Sequence, residues 1–335
     1  MKKVTVFLGA LIAFALLLSA CGELVTEEPT ATPSTPTDTP VSVSFVVGTG
    51  GKGGVFYPYG EGLARILSTY MPGVTATVLE TGGSVDNVKD VQSGKAQIGL
   101  STVDSAFDAI QGQGAYISSG KAPITALAVL YTSFVHVVAT EASGINSVPD
   151  MKGKIISVGD AGSSTEGVAN RILQAAGVNA QAEITRQNLS IADATAAMSA
   201  GKIDAFFWIG GLPTKAVTDM FAAGTKAKFI DASIYAQQMA GSYGPVYRAF
   251  TLPKDVYKTA TDVPGIGIGN ILLVNENMSE EQAYQIVATI FTHLEQVHKI
   301  HPEAARLTLQ SATIGSSIPF HPGAIRFYTE EGVWK

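Results

Sequence analysis

Short β-branched runs alternate with amphipathic helical stretches along almost the whole of this 335-residue chain, and that alternation restricts it to one class of fold. Residues 41–47 read as a strand, 55–70 as a helix, 74–79 as a strand, and 84–92 as a helix ended by Gly94. A strand at 96–100, a helix at 104–110 and two strands at 124–130 and 134–139 follow. The pattern then restarts: strand 154–158, helix 165–176 closed by Gly177, strand 182–184, helix 191–200 closed by Gly201, strand 203–209, helix 213–223 and strand 227–230. A last strand at 266–274 leads into a long helix over 279–298. Such alternation specifies an α/β protein with a largely parallel sheet.

The two series echo each other where Gly94-Lys95-Ala96 and Gly201-Lys202-Ile203 each close a helix and open a buried strand. Two similar α/β lobes with a cleft between them is the economical architecture. The expected bodies are lobe one over 42–139, lobe two over 140–265, and a return to lobe one over 266–335. The strands at 134–140 and 266–274, long and β-branched, are the expected crossings.

The N-terminus has a different character. Lys2 and Lys3 precede a 17-residue apolar run over 4–20, and Leu18-Ser19-Ala20 precedes Cys21, the sole cysteine. A basic start, an apolar core and small residues before a cut site make a secretory signal peptide over 1–20. A cysteine in this setting resembles the bacterial lipobox, in which the thiol is acylated. The expected location is therefore the extracytoplasmic face of the cell membrane, with lipid on Cys21 and no thiol left for disulfides or metal. Residues 21–41, rich in Thr and Pro, cannot bury enough surface to offset their ordering and read as a disordered tether of up to roughly 60 Å.

The whole chain carries a formal charge of −6, which removal of Lys2 and Lys3 with the signal takes to −8. There is no Lys/Arg run, which argues against nucleic acid. No second apolar stretch approaches a spanning length. The chain is expected to be monomeric and to need no cofactor.

Three strand-to-helix junctions concentrate glycine and small hydroxyls: 48–58, 80–87 and 159–165. Each presents backbone N–H groups at the positive end of a helix, where glycine lets a ligand approach. In open α/β sheets ligands bind at this edge. Together the loops suggest an anionic ligand held by neutral dipoles. Gly48, Gly50 and Gly53 formally fit a dinucleotide fingerprint, but the nearest ribose-binding acid, Glu80, stands about ten residues too far along. A phosphate loop fails because glycine follows Lys52. His293, His298 and His301 lack the spacing of a zinc site, His136 reads as a core or cleft-wall residue, and Ser163 and Ser164 lack the setting of a hydrolase nucleophile.

The chain resembles the TAXI family of extracytoplasmic solute receptors, which serve tripartite ATP-independent periplasmic (TRAP) transporters. The resemblance runs from about Phe45 to Trp334. It is carried by Gly48-Thr49-Gly50 with Gly54-Val55-Phe56-Tyr57-Pro58, Thr81-Gly82-Gly83-Ser84 with Asn87, Val135-His136-Val137-Val138, Lys152-Gly153-Lys154 with Val158-Gly159, Gly201-Lys202-Ile203-Asp204-Ala205-Phe206-Phe207, and Ile318-Pro319-Phe320-His321-Pro322-Gly323-Ala324. The chain departs from it at Phe56, where the family more often has tyrosine, and at Ser164, where it often has glycine.

The resemblance implies a two-lobed type II periplasmic-binding-protein fold, a small organic acid or amino acid as ligand (glutamate, glutamine or 2-oxoglutarate type), and TRAP permease subunits as partners. Candidate contacts are Thr49, Gly50, Gly54 and Tyr57 at one end, with Thr81, Gly83, Ser84 and Asn87 beside them. Ser163, Ser164 and Thr165 would close from lobe two, with Phe207 and Trp208 as walls. Glu80, Asp160 and Asp204 are candidate acceptors for an ammonium, and His321-Pro322-Gly323 reads as a structural turn. The competing classes are an exported hydrolase of small acids and a ligand sensor for a membrane kinase. One expectation is testable at once: Cys21→Ser should abolish acylation, so that wild type enters the detergent phase of a partition and the variant is left uncleaved or released. Wild type wholly in the aqueous phase would disprove the anchor.

Overall fold

The structure, a computed structural model, describes residues 43–334; the signal and the whole tether, Cys21 included, lie outside the described residues. Ten strands are present among them: β1 (Val43–Gly48), β2 (Val74–Leu79), β3 (Ile98–Thr102), β4 (Ile124–Thr140), β5 (Ile155–Ser157), β6 (Thr185–Gln187), β7 (Ala205–Gly210), β8 (Ala227–Phe229), β9 (Arg248–Leu252) and β10 (Val263–Asn275). Their order is β2-β1-β3-β10-β4-β7-β5-β6, with β8 beside β4 and β9 beside β10. The β1–β2, β1–β3, β5–β6 and β5–β7 pairs are parallel. Every pair that includes β4 or β10 is antiparallel. The sheet is therefore mixed, where the sequence pattern suggested a largely parallel one.

Strands β4 and β10 each serve both halves of this sheet. Residues 124–134 of β4 pair with residues 267–275 of β10, and residues 134–140 pair with β7 and β8. Residues 263–267 of β10 pair with β9, and residues 270–274 with β3. The partners change at Phe134 and Gly267, which are paired with each other. The strands expected at 124–130 and 134–139 are one continuous 17-residue strand. Its polar middle is held by Asn270, whose amide donates to the Tyr131 carbonyl (3.1 Å) and to Ser133 Oγ (2.9 Å). Glycine allows the crossing to pack: a Cβ at Gly265 would stand 2.5 Å from the Phe134 ring.

The helices form where apolar residues recur at helical spacing. The Phe56–Tyr70 helix buries Tyr59, Leu63, Ile66 and Leu67 against the first half-sheet, in one apolar cluster with Ile286, Val287 and Ile290 of the Glu280–Thr292 helix. The Ser84–Ser93 helix buries Val85, Val88 and Val91 and ends on left-handed Gly94. A separate cluster of Phe134, Val138, Ile191, Phe206 and Met220 covers a face of the second half.

Several boundaries differ from the sequence reading. The helix expected over 279–298 breaks at His293, which stacks on Tyr70, and resumes as Leu294–His298. The strand expected at 182–184 begins only at Thr185, because Asn179 Oδ1 accepts from the Gln181 and Ala182 amides and holds that stretch in a turn. His321 caps the Pro322–Glu330 helix by accepting from the Gly323 amide (3.2 Å), so the expected turn is a helix start.

His136 is fully buried on β4. Its Nδ1 lies 3.0 Å from the Phe134 carbonyl, which only an N–H can satisfy, so Nε2 accepts from the Tyr257 hydroxyl at 2.9 Å. That hydroxyl in turn accepts from the Thr214 amide at 2.7 Å. Burial lowers the imidazole pKa to about 4. The folded value lies below the unfolded value of 6.5, so the unfolded chain takes the proton first. His136 thus contributes stability that is fully present above pH 6.5 and is lost as pH falls toward 4, about 3 kcal/mol across that window. Urea unfolding followed from pH 7 to 4.5 should show His136→Gln losing stability with acid less steeply than wild type. Equal slopes would remove His136 from the account.

Candidate functional site

The carboxyl ends of β1, β2, β3, β5, β6 and β7 converge on one cavity of about 330 Å³. From the first half-sheet come the 50–56 loop, the 80–84 loop, Thr102 and Tyr131; from the second come Asp160, residues 163–165, 190–192 and 208–210.

Nine of the thirteen candidate contacts line this cavity: Gly50, Gly54, Thr81, Gly83, Ser84, Ser163, Ser164, Thr165 and Trp208. Gly54 has a specific need to be glycine, since a Cβ there would come within 3.0 Å of the Trp208 indole. The indole is fixed from behind by Nε1 donating to Thr214 Oγ1 at 3.0 Å. The other four candidates lie elsewhere, each for a physical reason. Neighbouring strand residues face opposite sides, so with Trp208 on the cavity Phe207 points into the core, 2 % exposed. Asn87 is buried, its amide donating to the Thr49 and Leu100 carbonyls and its Oδ1 accepting from the Thr81 hydroxyl. It clips β1, β3 and the 80–84 loop together. Thr49 is buried with its hydroxyl on the Leu79 carbonyl at 2.8 Å. Tyr57 lies off the cavity wall in the first helical turn, with the Lys52 ammonium 5.5 Å from its ring centre.

The cavity also includes residues the sequence did not single out as contacts: Phe56, Thr102, Tyr131, Ile191 and Ile209. Phe56 and Ile191 begin the helices that follow two of the loops and were legible as such; Tyr131 and Thr102 sit at strand positions with no distinguishing pattern. Of the three acids considered, Glu80 and Asp160 line the cavity. Asp204 does not, because its carboxylate accepts from the Ile155 amide at 2.8 Å.

The two sides touch across the cavity. The Gly162 carbonyl accepts from the Val85 and Asp86 amides, both at 3.1 Å. These are N–H groups at the start of the Ser84–Ser93 helix, donors that the sequence reading reserved for an anion. Ser84 Oγ reaches Ser164 Oγ at 3.4 Å and accepts from the Thr102 amide at 3.0 Å. Lobe-two hydroxyls are engaged too: Ser163 donates to the Asp160 carbonyl (2.6 Å), and Thr165 accepts from the Ile209 amide (3.2 Å). The close approach demands glycine, because a Cβ at Gly82 would stand 2.2 Å from the Ala161 carbonyl oxygen.

A second contact zone lies beyond this seam, beside a further cavity of about 560 Å³. Arg171 of the Ser164–Ala175 helix pairs with Asp108 of the Val103–Gln111 helix and lies 3.9 Å from Asp104. The Tyr247 hydroxyl donates to Asp104 at 3.1 Å, and the Tyr243 ring lies 4.4 Å from the guanidinium. Burial pushes the Asp108 carboxyl up, a push that Arg171 opposes.

With this geometry in view, comparison with known proteins identifies the chain. Residues 47–332 match the family described as NMT1-like. The chain belongs to that family. Among solved structures, it is similar to a binding protein component of an ABC phosphonate transporter from Pseudomonas aeruginosa, with 13% identity, 78% of this chain and 79% of that chain covered, and a TM-score of 0.53. It is also similar to a protein from Bordetella bronchiseptica RB50, with 17% identity, coverage of 85% and 88%, and a TM-score of 0.51. A weaker likeness, at a TM-score of 0.45, is to the alkanesulfonate-binding protein SsuA from Xanthomonas axonopodis pv. citri bound to MOPS, with 16% identity and coverage of 87% and 80%. The fold is that of the two-lobed periplasmic binding proteins, which the family resemblance had implied.

The seam suggests a direct test of closure in this NMT1-like protein. Gly82→Ala should hold the lobes apart, since the added methyl meets a backbone oxygen that cannot swing aside. Small-angle scattering should give a larger radius of gyration than wild type, with the circular dichroism spectrum unchanged. A wild-type radius in the variant would show that the seam yields without opening.

Proposed function

We propose that the protein is a solute-binding receptor that encloses one small organic ligand between its lobes and hands it to a membrane transporter. The observation that carries this reading is the cavity itself. It collects loops from six strand ends, lies at the carboxyl edge of an α/β sheet where such folds bind ligands, and is roofed by contacts that the protein makes with itself. Membership of the NMT1-like family and the binding-protein architecture support the same reading.

The finer identity proposed is a TAXI-type receptor that delivers a small carboxylate to a TRAP permease. The six motifs between Gly48 and Ala324 support it. The proposed location is the extracytoplasmic face of the cell membrane, held by lipid on Cys21, with lobes divided as 42–139 plus 266–335 against 140–265. A ligand that favours the closed lobes does so only through its differential affinity for the two states. The Ser84–Ser164 and Gly162 contacts lower the cost of closure and leave the ligand to supply the remainder.

A thermal-shift panel of amino acids, keto acids, dicarboxylates, sugars and metal ions tests the reading. Binding at a hundredfold excess over Kd should stabilise the fold by about 2.7 kcal/mol. At least one small carboxylate should raise the melting temperature and emerge chemically unchanged after prolonged incubation. A response confined to sugars or metal ions, or turnover of the ligand, would overturn it.

A further inference from the structure

We infer that the cavity selects a small amino acid with an uncharged, apolar side chain, its ammonium held by Asp160, in preference to a dicarboxylate. The inference rests on the solute-binding reading above and names the ligand class for that site.

The charge on the cavity wall is its first support. The wall carries one cation, Lys52, and two carboxylates, Glu80 and Asp160. Lys52 lies 3.5 Å from Glu80, so these two offset each other at the mouth, where their side chains are 67% and 48% exposed. Asp160 makes no ion pair among the described residues and is left as the uncompensated charge. A dicarboxylate would bring two more negative charges into a wall that is already negative, with no free cation to receive them. Burying like charges without partners is costly. An ammonium placed on Asp160 removes the imbalance. Burial pushes the Asp160 carboxyl up, a push that the Ala161 amide opposes and that Asp86, Asp193 and Glu166 reinforce.

A second, independent support is the fate of the helix amides. The Val85 and Asp86 N–H groups, which would otherwise favour an anion, already donate to the Gly162 carbonyl. What remains for a carboxylate is the hydroxyl trio of Ser84, Thr102 and Ser164, beside the Ser164 and Thr165 amides that open the facing helix. Their mutual contacts of 3.4 Å are at the long limit of hydrogen bonding and are readily exchanged for a ligand oxygen. That trio suits one carboxylate.

The third support is the remaining wall. Phe56, Trp208, Tyr131, Ile191 and Ile209 present aromatic and branched apolar surface to a volume of about 330 Å³. A charged side chain would be stripped of water against these groups, whereas an apolar one gains by its burial.

Isothermal titration of the purified protein with matched pairs tests the assignment: L-leucine against 4-methyl-2-oxopentanoate, L-phenylalanine against phenylpyruvate, and L-glutamate and 2-oxoglutarate as dicarboxylates. Each pair differs chiefly in the ammonium. One amino acid of the apolar pairs should bind tenfold to a hundredfold tighter than its keto acid, the range for a hydrogen bond to a charged group, and tighter than either dicarboxylate. Asp160→Asn should erase the difference within the pair, and Asp160→Glu should retain part of it. If Asp160→Asn does not fold, the wild-type series and Asp160→Glu decide. Tighter binding of a keto acid or a dicarboxylate, or a preference that survives Asp160→Asn, overturns the inference and leaves the receptor reading standing. Silence from all six compounds overturns the inference; silence from the whole thermal-shift panel removes the receptor reading as well.

Discussion

The antiparallel pairing of β4 with β10 is the interaction on which the rest of the molecule depends. Each strand runs through both halves of the sheet, so each half owes its central strands to the same ribbon. Its hydrogen bonds are buried and its side chains (Ile268, Ile271, Leu272, Val135, Val137) are almost wholly inaccessible. The ribbon fixes how far apart the outer parallel strands stand and aims their carboxyl ends at one another. The register shift between Gly269 and Ile271 marks where the ladder already departs from regularity.

Around that ribbon the two sides meet through chemistry of two kinds. At the cavity the contact is between backbones, Gly162 against Val85 and Asp86, with Gly82 allowing the approach. Beyond it the contact is ionic, Arg171 against Asp108 and Asp104, with Tyr247 satisfying part of the acid. The first is short-ranged and steric. The second involves partly desolvated charges, whose attraction is offset by the cost of removing them from water.

Much of this was legible in the sequence. The helices at 84–92 and 191–200 show clear apolar periodicity with a glycine stop, and both lie within a residue of where the structure puts them. The glycine loops were legible as the site region because glycine and small hydroxyls at strand ends have few other uses. Sequence failed where long-range contacts decide. Nothing near Asn87 reveals that its amide clips three segments. Strand β9 has an exposed, weakly alternating pattern and exists only because β10 offers it an edge. Phe207 and Trp208 both read as cleft walls, but strand register puts only Trp208 there, and one residue of slip would reverse it.

The place of β10 in the sheet has a consequence for how the protein is made. It lies between β3 and β4, yet follows the start of β4 by more than a hundred residues. Until it emerges, the middle of the first half-sheet has two bare strand edges, open to pairing with other chains. The first hundred described residues therefore cannot complete their body during synthesis, and must wait for the chain's last quarter. Contacts of such sequence separation are slow to form. A polypeptide built this way keeps its first body incomplete for most of its own translation.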